Sequence, residues 1–161
     1  MDHTTYIRRE TGVSIVINSV LSALFFWLVF GGVDPVPVWG MGNWVFDFLP
    51  QSFMIALMST LVPGALTAKA IRAGKIAGNG PRNWLPVNLL ARAVVLAILS
   101  AAGGTALVAL LIIAVGVTLS LPWSITELSA ATALAFKVIY GAILALIVTP
   151  PGLRQALANQ G

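Results

Sequence analysis

The chain has no cysteine, a single histidine, and few charges: nine Lys or Arg and five Asp or Glu in 161 residues. The missing cysteine excludes disulfides, thiolate metal sites and thiol catalysis. The one histidine, His3, lies in an N-terminal tail expected to be mobile and cannot alone make a metal site. Charged residues are 9% of the chain, where soluble domains carry about 25%, and the hydrophobic set reaches 58% with a mean hydropathy of +0.95. A water-soluble domain this small cannot hide so much apolar surface. The net charge of +4 does not point to nucleic acid, because no run of bases exceeds the Arg8-Arg9 pair. The bases are topology signals instead.

What the chain has is long uncharged runs. A helix crosses a hydrocarbon core of ~30 Å in about 20 residues. Residues 11–33 and 48–68 carry no charge, residues 93–126 hold a third span and an outer loop, and a fourth run is interrupted only by Lys137. The expectation is an all-α, four-transmembrane-helix bundle with spans near 12–32, 48–67, 93–117 and 125–149, joined on one side by a basic loop over 68–92. Ser124-Ile125-Thr126-Glu127 fits a capping box, and Asp47 and Asn83 each precede an aromatic, Leu and Pro in the manner of N-caps. Pro63-Gly64 and Pro150-Pro151-Gly152 mark the far ends of spans two and four. The first span is too long for a signal-peptide core and no Ala-x-Ala site follows it.

Cytoplasmic loops collect Lys and Arg. Arg8, Arg9, Lys69, Arg72, Lys75, Arg82, Arg92 and Arg154 fall on one side, while residues 32–46 and 118–124 hold none. Both termini are therefore expected in the cytoplasm, in a bacterial-type inner membrane, with the basic side touching anionic headgroups. Trp39, Trp44 and Trp123 suit the opposite headgroup layer, along which the Asp34–Gly42 loop is expected to lie. Gly78-Asn79-Gly80-Pro81 reads as a turn, since no strand precedes it and no Gly-Lys-Ser/Thr follows to make a phosphate loop. The two halves share a weak pattern of helix, Pro- and Trp-bearing loop, helix and Pro-Gly, which would make a parallel repeat.

Small and polar residues four apart give each span a packing face. These are Ser14, Asn18 and Ser22; Ser52, Ala56, Thr60 and Gly64; the Ser100–Ala106 patch with Gly103 and Gly104; and Ser129, Ala133, Lys137, Gly141 and Ala145. Lys137 is the residue that asks for an explanation. Midway along a 125–149 span it lies roughly 18 Å from each surface at 1.5 Å per residue, and an intramembrane charge is a functional candidate by default. Ser22, Thr105, Tyr140 and Asn18 are its expected neighbours, and Asp47 and Glu127 are placed too far along the axis to pair with it. Three readings follow: a neutral lysine held by hydroxyls and carbonyls, a lysine binding an anion or headgroup, or one meeting a carboxylate or cofactor of another chain.

No catalytic set emerges beyond a conceivable dyad of Lys137 with Ser22 or Ser100, so a non-enzymatic protein is expected, and no cofactor can be named. The chain resembles the four-helix small multidrug exporters in helix count alone. The resemblance implies a membrane-embedded glutamate in the first helix, and here the first span, 12–32, has none. The preferred expectation is a structural, accessory or assembly subunit that contacts other membrane polypeptides or itself. The alternative is a homo-oligomeric small-solute or anion transporter using Lys137.

Overall fold

The computed structural model describes residues 2–78, 84–86, 88–119 and 125–158. Four helices dominate it: α1 (His3–Phe30), α2 (Phe48–Arg72), α3 (Leu89–Thr118) and α4 (Ala130–Ala158). Each is long and apolar enough to cross a membrane. The one non-helical pairing among the described residues is a short ribbon of β1 (Val36–Pro37) with β2 (Glu127–Leu128), antiparallel, with Val36 opposite Leu128.

The helices run further than the sequence indicates. Pro63 lies inside α2, and Pro150 and Pro151 inside α4, rather than closing them. A proline removes one ladder bond, which a helix embedded among neighbours and hydroxyl side chains tolerates. Nearby the Thr67 hydroxyl donates to the carbonyl of Pro63 itself at 2.8 Å, while the carbonyl that the proline leaves without a ladder donor is that of Ser59. His3 is not in a loose tail: it opens α1, and its Nε2 lies 2.8 Å from the Ala77 carbonyl oxygen.

The caps also differ. Asp47 has helical dihedrals and makes no capping bond, so the expected cap there is corrected. Asn88 caps α3, its side chain accepting from the Leu90 and Ala91 amides at 2.9 and 3.2 Å. At α4 the Ser129 hydroxyl accepts from the Thr132 amide at 3.3 Å, and Asp34 reaches across from another loop to accept from Ala130 at 3.1 Å. A carboxylate there also complements the helix dipole. The Ser124 capping box, the Asn83 cap, the Gly78–Pro81 turn, Arg82 and Trp123 fall wholly or partly outside the described residues.

The packing faces are buried as the four-residue spacing requires. On α1 the buried line is Ser14, Asn18, Ser22, Phe26 and Phe30. On α2 Ser52, Ala56, Thr60 and Gly64 are buried, and on α4 Ala133, Lys137, Gly141 and Ala145. Ser129 departs from that line, being exposed and outside the helix. On α3 only one of the paired glycines is used. A Cβ at Gly104 would overlap the Tyr140 hydroxyl, whereas one at Gly103 would meet nothing within 4 Å. Gly103 faces outward, which corrects its assignment to packing within the bundle.

Helices α2 and α4 form the centre, the α1 backbone lies along α4 and the α3 backbone along α2, while α1 meets α2, and α3 meets α4, mainly through side chains. Exchanging the half α1–β1–α2 with the half α3–β2–α4 leaves this pattern unchanged, as a parallel repeat requires. α1 and α3 run toward the ribbon, and α2 and α4 run away from it. At the ribbon end Phe26, Phe30, Phe48, Val108, Ile112 and Ala133 form a core with the loop residues Val36, Val38, Trp44 and Val45. The loop therefore folds partly into the bundle mouth, through Val36, Val38, Trp44 and Val45, while Met41 stays exposed. Gly40 and Gly42, at φ of +113° and +80°, let it turn back. Trp44 is 1% exposed and donates through Nε1 to the Ala133 carbonyl at 3.1 Å, so it is a core anchor and not part of an interfacial belt. At the other end Tyr6, Ile76, Leu153 and Leu157 pack together.

Candidate functional site

Lys137 lies two turns into α4, about 10 Å from its start at 1.5 Å per residue, because the helix begins at Ala130 rather than 125. That shift brings it level with the start of α2. Its ammonium forms an ion pair with Asp47 and donates to Gln51 Oε1 at 3.0 Å. The expectation that no acid of this chain could reach Lys137 is thereby overturned. Asp47 and Gln51 share one face of α2 at a spacing of four, so one turn of helix presents both acceptors. The Phe48 ring centroid lies 4.3 Å from Nζ and the Phe30 centroid 5.8 Å, adding aromatic faces to the shell.

Gln51 ties the pair to the rest of the bundle. Its Nε2 donates to Ser22 Oγ at 3.0 Å and to the Lys137 carbonyl at 3.2 Å. Three helices thus meet through one amide: α1 by Ser22, α2 by Gln51 and α4 by Lys137. Gly141, one turn along α4, permits the approach of α1, because a Cβ there would overlap Ser22 Oγ. The lysine side chain is 1% exposed and the Asp47 side chain 19%, so the carboxylate keeps one edge open. That edge faces a cavity of about 130 Å³ between α1 and α2, with Ser22, Asn18 and Gln51 on its polar side and Phe25 and Met54 on its apolar side.

Of the expected neighbours, Ser22 joins Lys137 through Gln51, and the others belong elsewhere. Asn18 donates to the Ser14 carbonyl at 2.8 Å and to Ser59 Oγ at 2.9 Å, in a separate cluster that Thr149 completes by donating to Ser14 Oγ at 2.9 Å. Tyr140 bonds Ser52 at 2.5 Å on the side of α4 that faces α3. Thr105 Oγ1 is buried without a hydrogen-bond partner among the described residues. Ser100 borders the groove between α3 and α4 and is not part of the Lys137 network. Sequence reasoning missed Asp47 and Gln51, whose four-residue spacing was the available signal.

One further base is buried. Arg92 on α3 is 2% exposed, and its Nε and Nη1 have no hydrogen-bond partner among the described residues. Among the described residues no group of three His, Asp or Glu side chains gathers as a metal site would need.

The chain matches no family model, no curated protein and no solved structure. The chemistry of the site must therefore be read from its own geometry. The buried ammonium has an adjacent carboxylate and amide as its polar partners, and the carboxylate keeps one edge open to the cavity. The lysine's counter-charge comes from its own chain.

Proposed function

We propose that the protein is a non-enzymatic integral membrane protein that serves as a structural, accessory or assembly subunit beside other membrane polypeptides. The observation that carries this reading is the closure of Lys137 by Asp47 and Gln51. The one charge deep in α4 has a structural use within the chain, and contacts with other molecules are left to the outer faces. Those faces are apolar and broad, with Ile98, Leu99, Leu107, Leu110 and Leu111 of α3 all exposed beside Gly103. Small residues among large aliphatic ones suit close helix–helix contact in lipid.

The proposed setting is a bacterial-type inner membrane, with both termini and the basic end in the cytoplasm against anionic headgroups, following the distribution of Lys and Arg. The test is the composition of the particle extracted in mild detergent through a C-terminal tag. Co-purifying chains in fixed ratio are the expected result, and a pure homo-oligomer sinks the subunit reading.

One observation favours a second reading, small-solute transport by a homo-oligomer. The cavity beside Asp47 is bordered by Ser22 and Asn18, which continue along α1 as a polar line across the bundle. Under this reading Lys137→Met abolishes flux in reconstituted vesicles, while unchanged flux removes the lysine from the path.

A further inference from the structure

At the end opposite the ribbon, the start of α1 and the end of α4 diverge around a groove of about 550 Å³. Its rim carries His3, Arg8 and Arg154, and its walls are Ile7, Ile15, Leu146 and Leu157. Bases at one end of an apolar trough are a layout that neither water nor a plain hydrocarbon chain matches.

Two details set the groove apart from a general basic surface. Arg8 and Arg154 are exposed and have no carboxylate within ion-pair distance among the described residues; the nearby Glu10 is engaged by Arg9 at 3.7 Å. Two exposed guanidinium groups on one rim offer their N–H donors to an anion. Independently, Thr11 lines the same groove, is only 5% exposed, and its Oγ1 has no hydrogen-bond partner among the described residues. A buried threonine in a helix ordinarily bonds its own backbone or a neighbour, and an orphaned hydroxyl is costly. Gly12, beside it, faces open space, with nothing within 4 Å of where a Cβ would stand.

We propose that this groove is a binding site for a phosphate-bearing anionic lipid, with the phosphate held by Arg8, Arg154 and the Thr11 hydroxyl, and an acyl chain lying along Ile15 and Leu146. Arginine suits the phosphate because its planar fork offers paired donors. The apolar walls select a lipid over a free anion. The site rests on the chain being in a membrane and is independent of whether it serves as a subunit or a transporter.

The test uses the purified full chain in vesicles of phosphatidylcholine containing spin-labelled phosphatidylglycerol or spin-labelled phosphatidylcholine, with the motionally restricted fraction of each measured by electron paramagnetic resonance. The expected result is a preference for the anionic label that falls about five-fold with Arg8→Gln and again with Arg154→Gln, the scale of one base near an anionic surface. Gly12→Leu, whose Cβ meets nothing within 4 Å and whose remaining side chain occupies the groove, is expected to remove the preference with both arginines intact. Thr11→Val reports the hydroxyl separately. The control Lys69→Gln/Arg72→Gln is expected to keep the preference, and its loss there instead overturns the site in favour of diffuse attraction. Full displacement of the label by millimolar inorganic phosphate, with Gly12→Leu without effect, overturns the lipid in favour of a free anion. Retained folding is checked for each variant by circular dichroism and thermal midpoint.

Discussion

The Lys137–Asp47 pair makes a quantitative prediction for a double-mutant cycle. Lys137→Met removes the ammonium while keeping a stem of similar length against Phe48. Asp47 then loses its partner, but with its side chain 19% exposed it regains some water. The expected loss is about 2–3 kcal/mol, below the ~3–5 kcal/mol typical of breaking a buried pair. Asp47→Leu is worse, because the lysine is 1% exposed and keeps only Gln51 as a polar partner. Its expected loss is about 3–5 kcal/mol. Combining both removes both charges and leaves apolar side chains beside Phe30 and Phe48, and the double variant is expected within about 1 kcal/mol of wild type. The coupling is then about 4 kcal/mol or more, within the range measured for close charge pairs. The assay is reversible unfolding in mixed micelles titrated with sodium dodecyl sulfate and followed by tryptophan fluorescence. Trp44 sits 4.8 Å from the Phe48 ring and reports on the same end of the bundle. A double variant as unstable as the sum of the two single ones would refute the reasoning.

Three further outcomes are expected. Gly104→Leu forces a clash with Tyr140 and Ser52 and costs about 1–3 kcal/mol by overpacking, whereas Gly103→Leu, in open space, stays within about 0.5 kcal/mol in the same unfolding assay; equal losses contradict the assigned faces. Arg92→Leu removes two buried guanidinium nitrogens without a partner among the described residues and raises stability by about 1–3 kcal/mol; a fall instead reveals a partner that holds the guanidinium. A green fluorescent protein fused after Gly161 fluoresces and an alkaline phosphatase fused there is inactive if the C-terminus is cytoplasmic, and the converse pattern inverts the orientation.

The four helices were legible because lipid writes a simple rule into the chain: about twenty residues without a charge. The inner faces were legible too, since Ser14, Asn18 and Ser22 or Ala133, Lys137 and Gly141 fall four apart and turn inward together. The partner of Lys137 was not. Its depth was measured from a helix start five residues too early, and Asp47 was assigned the capping role that its position before an apolar run usually signals. Helix ends are set by caps that compete, and here Asp34, Ser129 and Asn88 did the capping. The ribbon left no trace because two-residue strands have no alternation to read. Gly103 and Gly104 are adjacent in a run of small residues, and only the three-dimensional neighbour, Tyr140, distinguishes them.

The exchange pattern of the two halves has a consequence for partner choice. Asp47 belongs to the first hairpin and Lys137 to the second. Two copies of the first hairpin, docked as these halves dock, would bring two carboxylates into one interface, and two copies of the second would bring two ammonium groups. Only the mixed assembly is neutral there, and like charges forced together cost more than the attraction returns. The ion pair therefore joins unlike charges from the two halves of the chain, and the covalent link supplies those halves in equal number.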